Sequence, residues 1–513
     1  MKASDNLFEL IKSLEKQEKR YFKVYSSKHI VGQGNDYIKL FDQIDKQKVY
    51  DEAAIKKRFK GESLGIHFPV MKNYLYNLIL KSLLAYHADK TVGSELKDFL
   101  RKIEILYQKG LHKHCIKILS KAKNLAYKHE KFALLFEILE WEEKIVRDQL
   151  HAKKLEAFLR ENFKEFEALN EKYKNLYEYK YINSKLFILT KKEEKLRSKM
   201  RIENIHFIIN TPVMKSEKKA LSFNAKYLYH NMLGFYLQTK GDLKKSYIHR
   251  KSLVNLFESN QEHLAEHTSN YIAALNNLLI ICVPLEKYKE FHFLLRKMRA
   301  IPAKSSEIKA RIFSRSYNLE LSMYIDTGQF EKIIPLINKI EAGLKEFKRQ
   351  FVIAHEMIFY YSISYCYLAI CDYNNALKWL NKVLNETNIE TREDIHGFAR
   401  ILNLIIHYEL DHADLLGYIT KSTYRFLYKR KRLYKFETSF LNFIRQKLPK
   451  VKSNKELVSA FKELKMELGA ITKDPFEKKA LEYFDFISWL ESKIGNRPFA
   501  EIVKEKAKKN SIA

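Results

Sequence analysis

Apolar residues recur at three- and four-residue spacings along nearly the whole chain, the period of helices that bury one face. Residues 6–26 place Leu7, Leu10, Ile11, Leu14, Tyr21, Val24 and Tyr25 on one side and predict a single helix. Gly32 and Gly34 break it; helices follow from about Asp36 to Lys46, from Asp51 to Gly61, and from Val70 to His87 after an irregular stretch that ends at Pro69. From Glu95 the pattern pairs up, with 96–110 and 111–129 antiparallel and small residues Cys115 and Ala122 between them. Long helices then run to Pro212. Beyond 454 three helices are expected, the middle one opened by Asp474, Pro475 and Glu477 and carrying Phe476, Leu481, Phe484, Ile487 and Trp489.

The clearest organisation lies between 220 and 420. Phe223–Phe257 reads as two helices joined at Gly241-Asp242, with Gly234 and Ser246 small enough for two backbones to approach. Similar units turn at Glu286, Gly328 and Cys371, at steps of 45, 42 and 43 residues, and a weaker one near Asp411-His412. Regular steps of this size mark a helical repeat array. The chain therefore divides into an N-terminal helical module (1–90), degenerate helical repeats (95–215), the clear array (220–420), and a basic, aromatic helix followed by capping helices (421–513).

Leu233-Gly234, Gly241 and Ser246 carry a resemblance to the tetratricopeptide-repeat (TPR) family, as do Tyr360, Tyr367, Tyr373, Ala376 and Leu380 in the fourth unit and Gly328 with Phe330 in the third. Leu243, Ser364 and Cys371 depart from the family pattern, and Ile333 and Phe291 replace its small residue. The step near 43 also exceeds the family's 34, adding a little over one turn per helix. HEAT-type repeats share the longer period and stay open as an alternative. The resemblance implies an all-α fold: a right-handed α-solenoid of TPR-like helix pairs with helical N- and C-terminal caps.

Composition adds little to this fold but narrows the function. Gly (14) and Pro (8) are scarce for 513 residues, and 46% of the chain is hydrophobic, which excludes disorder and a β-rich class. Four scattered cysteines exclude a disulfide framework. An N-terminus without an apolar core and the lack of an uncharged run of about 18 apolar residues predict a cytoplasmic protein without a membrane span. The formal net charge of +31 attracts polyanions. Lys far outnumbers Arg, however, and Arg is the residue that phosphate and base recognition favours.

Candidate chemistry is sparse. His263-Leu264-Ala265-Glu266-His267 matches the H-x-x-E-H order of some zinc peptidases, but no further ligand is signposted and the string opens a repeat helix. Neither a phosphate-binding loop nor a nucleophile elbow is present, so neither an enzyme nor a cofactor is expected. Lys72, Asn73 and Tyr76 face DNA only if 51–86 forms a helix-turn-helix, and the break there is longer than such turns use. Arg425, Lys429, Arg430, Arg432 and Lys435, interleaved with aromatics in one helix, form the nucleic-acid alternative.

A protein or peptide partner is favoured by one column. Asn231, Asn276 and Asn318 stand ten residues before their turns, with Tyr361 in the fourth unit. The TPR resemblance implies that this place looks into a concave groove, where an amide can pair with a peptide bond. Leu228, Phe235, Gln238, Arg315 and Tyr365 are its expected neighbours.

Overall fold

A computed structural model describes residues 5–28, 36–60, 68–87, 91–147, 149–193, 200–303, 305–348, 350–351, 353–387, 392–474 and 476–510. The glycines expected to break the first helices, most of the irregular stretch before Pro69, and Pro475 lie outside them. The described residues form helices and turns, with no strand among them. The chain divides into two compact units, Met1–Asn175 and Leu176–Ala513.

In the first unit, α1 (Asn6–Ser13), α2 (Lys16–Lys28), α3 (Asp36–Lys46), α4 (Glu52–Arg58) and α5 (Phe68–Tyr86) share a core built on Ile11, Phe22, Phe41, Ile44, Leu75 and Ile79. The single helix expected over 6–26 is broken at Leu14, whose extended backbone lets its side chain join that core. Lys72 does not face outward. Its Nζ lies 2.7 Å from Glu52 Oε2 and over the rings of Tyr50 and Phe68. Burial alone would raise the Glu52 carboxyl; hydrogen bonds from Lys56, Lys72 and Tyr50 outweigh it and hold it at about 2. With Lys72 so engaged, the helix-turn-helix reading loses its leading cation. Three antiparallel helices follow, α6 (Val92–Gln108), α7 (His112–Lys128) and α8 (Phe132–Arg147), and the 42-residue α9 (Ala152–Glu193) contains the division between the units.

The second unit continues with α10 (Met200–Ile209) and then pairs its helices: α11 (Phe223–Lys240) with α12 (Leu243–Glu258), and, after the short α13 (Gln261–Glu266), α14 (Thr268–Cys282) with α15 (Tyr288–Arg299). The pairs α16 (Ser306–Asp326) and α17 (Ile334–Glu346), α18 (Ile353–Ala369) and α19 (Tyr373–Leu384), and α20 (Glu393–Glu409) and α21 (Ala413–Lys429) follow. First helices pack in sequence, α14 on α16, α16 on α18 and α18 on α20, while each second helix touches the first helix of the next pair.

One turn closes every pair. Gly241, Glu286, Gly328, Cys371 and Asp411 all have positive φ, between 56° and 89°. In each, the following residue donates its N–H to a carbonyl five residues back: Asp242 to Leu237, Lys287 to Cys282, Gln329 to Tyr324, Asp372 to Tyr367 and His412 to His407, at 2.8–3.0 Å. The turn residue itself donates three residues back, for example Gly241 to Gln238. This is the Schellman motif, which satisfies carbonyls that a helix end leaves open.

Small residues set how closely some pairs cross. Ser246 Oγ donates to the Gly234 carbonyl at 2.7 Å, and Ser364 Oγ to the Ala376 carbonyl at 2.8 Å. Both pairs stand seven residues before and five after their turns, as do Ile103 and Cys115 around Gly110, where Cys115 Sγ donates to the Ile103 carbonyl at 3.6 Å. A Cβ at Gly234 would stand 2.8 Å from Nε of the buried Arg250.

The tail departs from expectation twice. The basic helix ends at Lys429, turns at Lys431 (φ 55°) and restarts as α22 (Lys435–Asn442). After α23 (Asn454–Ile471), the single capped helix expected from Asp474 is a 3₁₀ segment, Glu477–Glu482, followed by α24 (Phe486–Gly495) and α25 (Phe499–Asn510). Long-range contacts decide this. The Glu477 carboxylate accepts the N–H groups of Lys435 and Phe436, capping α22, and Asp485 rather than Asp474 caps α24 through the Ser488 N–H.

Two stability tests follow from these elements. No atom lies within 4 Å of a Cβ at Gly241, so Gly241→Ala costs only its left-handed backbone, about 1–2 kcal/mol, and lowers the urea midpoint. Glu286→Gly moves it the other way, by about 0.5–1 kcal/mol once glycine's entropy is counted. The second test concerns a histidine pair: His249 Nδ1 lies 3.1 Å from Nδ1 of the buried His230. Burial, then the neighbouring His230, lowers His249 from 6.5 to about 4. The folded state thus favours neutral His249, and this contribution is complete above about pH 6.5 and is lost as pH falls toward 4. The melting temperature of the parent should drop more steeply across that window than that of His249→Gln.

Candidate functional site

The common turn fixes the phase of each first helix, so equivalent positions can be compared directly. Ten residues before the turn stand Asn231, Asn276, Asn318 and Tyr361; six before it stand Phe235, Ile280, Ser322 and Tyr365. The structure brings the second and third units together in one place. Asn276, Asn277 and Ile280 of α14, Arg315, Asn318, Ser322 and Asp326 of α16, and His355 of α18 line a cleft of about 620 Å³.

The α16 wall is a row at intervals of three, four and four residues, which keeps one face of a helix over about 16 Å. Asn318 Oδ1 is buried there without a hydrogen-bond partner. Asn276 Nδ2 donates to Asn277 Oδ1 at 3.4 Å, a long contact that leaves most of its capacity unused. Burial, then repulsion from Arg311, lowers the Arg315 guanidinium. Burial and the cations Arg315, Arg392 and Arg311 lower His355. At the other end the cleft walls displace bulk water around Asp326 and push its carboxyl up to about 6, although the residue remains solvent-exposed, which limits the effect.

The corresponding positions one unit further on are occupied. Tyr361 and Tyr365 were expected to face a partner, but both are buried beneath the chain's own C-terminal segment. Tyr361 OH donates to the Tyr483 carbonyl at 3.2 Å, and Tyr365 OH accepts the Asp485 N–H at 3.4 Å. The Tyr483 ring stacks on Phe398, centroids 4.1 Å apart, and its hydroxyl donates to Asp394. Glu409 accepts from Trp489 Nε1 at 2.7 Å and from Lys493 Nζ at 2.6 Å. Further along, the backbone of Lys504 approaches so closely that a Cβ at Gly328 would stand 2.6 Å from its nitrogen.

Asn231 has a different task. Its Oδ1 accepts from Arg250 Nη1 at 2.9 Å, holding a buried guanidinium between α11 and α12. Phe235 and Gln238 are half-buried on α11 and do not line the cleft. The basic residues do not form one face. Arg432 pairs with Glu393, Arg430 lies over the Phe426 ring, Lys435 opens α22, and Arg425 and Lys429 are exposed on α21.

His263, Glu266 and His267 bring potential ligand atoms within 4.8 Å of one another. The chain breaks at His267, between α13 and α14, and the His263 ring stacks face to face on Phe223 with centroids 4.0 Å apart, which gives this histidine a packing role.

Sequence reasoning missed Asn277, Ser322, Asp326 and His355. The row Arg315, Asn318, Ser322 and Asp326 was visible as a helical spacing with polar residues at every step, but a search down one column across units passes over it.

Substituting Gly328 tests the folded-back tail. Gly328→Val should release α25, read as faster amide exchange over 499–510 with little change over 223–282. Compared with protein-family models, with curated proteins and with solved structures, the chain matches none at a significant level.

Proposed function

We propose that the second unit is a TPR-like helical scaffold, a right-handed stack of long helix pairs, whose inner face holds extended segments of another protein. On this reading the chain is a non-catalytic adaptor that needs no cofactor. One observation carries it: at Tyr361 and Tyr365, side chains ten and six residues before a turn already hold a carbonyl and an N–H of a chain segment. Asn318 and Ser322 stand at those positions one unit earlier, in an open cleft. Asn amides there offer a donor and an acceptor to main-chain groups, a mode that recognises an extended chain without reading every side chain.

A second reading is favoured by one surface. Tyr418 and Tyr428 are 76% and 69% exposed on α21, which also exposes Lys421, Arg425 and Lys429, the mixture of stacking platforms and cations that suits single-stranded nucleic acid.

The test is selection from a randomised heptapeptide library on the full chain. Selected peptides should lose about tenfold or more in affinity with Asn276→Ala plus Asn318→Ala, from the loss of two hydrogen-bonding amides. They should keep most of their affinity between about 50 and 200 mM salt. If the double variant binds them unchanged, the cleft is not the peptide site. A single-stranded oligonucleotide that binds at low salt and is lost steeply over that range would support the α21 surface instead.

A further inference from the structure

The cleft between α14, α16 and α18 carries a charge pattern as well as amides. Arg315 stands at one end and Asp326 at the other, eleven residues apart on one helix and so about 16 Å, the span of roughly five extended residues. The neighbouring arginines are neutralised within the fold: Arg311 Nη2 lies 2.8 Å from Glu307, and Arg392 makes a two-pronged pair with Asp394 at 2.7 and 2.9 Å. Among the described residues no carboxylate pairs with Arg315. It is half-buried, the charge acting on it is the like charge of Arg311, and the arginines around the nearby His355 favour the neutral form of that imidazole. A guanidinium withdrawn from water without a counter-charge is costly, and a bound carboxylate relieves that cost through two parallel hydrogen bonds. One turn along, the buried Asn318 Oδ1 needs an N–H donor, which a peptide bond beside that carboxylate provides.

From this arrangement we infer that the cleft binds a peptide segment carrying a carboxylate, which docks on Arg315 while the adjoining backbone N–H docks on Asn318. This rests on the inner face being a peptide-binding surface. The carboxylate belongs either to an acidic side chain or to a chain terminus. In both cases the segment runs along α16, with its donor-bearing or cationic end toward Asp326.

Fluorescence anisotropy with the full chain tests it, using three labelled heptapeptide pools and a single-stranded oligonucleotide. One pool ends in a free carboxylate and has no acidic side chain. A second ends in an amide and holds a fixed Glu. The third is the second with Gln for Glu. The first or the second should bind about ten- to a hundredfold tighter than the third, the worth of a charge-assisted pair, and whichever is tighter names the source. Arg315→Gln should abolish that difference and Arg315→Lys should keep part of it, each with helical content and melting behaviour matching the parent. Equal binding of all three pools, still weakened by Asn276→Ala plus Asn318→Ala, overturns the carboxylate while leaving backbone binding intact. Binding by no pool overturns both readings. An oligonucleotide that displaces the peptides and is itself lost with Arg315→Gln overturns the carboxylate in favour of phosphate.

Discussion

The second unit depends on one local constraint, a residue held at positive φ between two helices. In that conformation the chain reverses within a few residues, and the N–H groups of the turn residue and of the one after it fall onto carbonyls that the helix end would otherwise expose. Gly241 and Gly328 adopt it without a steric penalty; Glu286, Cys371 and Asp411 pay one, offset by the packing on either side. Because the turn fixes the phase of the helix before it, positions counted backwards from it repeat. Seven residues back lies the crossing with the partner helix, where Gly234 and Ser364 meet Ser246 and Ala376. Ten and six back lie the side chains that meet the C-terminal segment in one unit and line the cleft in the two before it. Equivalent positions therefore repeat from pair to pair as a consequence of backbone geometry.

That surface is used in two ways along its length. At α18 and α20 it is filled by residues 483–504, held by tyrosine hydroxyls, a Tyr483–Phe398 stack and the Glu409 carboxylate. A tethered segment meets its site at an effective concentration far above that of any free partner, so modest hydrogen bonds suffice to keep it there. At α14 and α16 the equivalent positions line a cleft in which Asn318 Oδ1 and the Arg315 guanidinium are not consumed by the fold. Tyr361 and Tyr365 stand in the closed part, and Asn318 and Ser322 in the open part, at the same positions relative to their turns.

Much of this organisation was legible in the sequence because its signals are local. Turn residues, helical period and small residues at a crossing each act within about a dozen positions, and Gly241, Glu286, Gly328 and Cys371 could be placed before any coordinates. What escaped was decided at long range. Asp474 followed by Pro475 reads as a helix start, yet Glu477 is drawn away to cap α22 and α24 begins at Asp485. Lys72 reads as a presented cation until Glu52, twenty residues away, takes it. Arg250, next to Lys251 in the sequence, is buried against Gly234 and held by Asn231. The Asn column consequently splits, because its first member serves the fold while its second and third line the cleft.

The charge of the chain takes on a sharper meaning once Arg315 is set apart from it. A formal excess of +31 makes a long-range field that raises encounter rates with any anion, but exposed lysines are screened within about 10 Å and discriminate poorly. In the proposed complex Arg315 would act at short range, between walls that exclude part of the solvent, where the attraction to one carboxylate is stronger and its geometry more restricted. Asp326 at the far end would set the direction of such a segment, since a reversed one would bring carboxylate against carboxylate. On the proposed reading, selectivity in so basic a protein rests on the half-buried Arg315 of the cleft, with the surface lysines contributing to the rate of encounter.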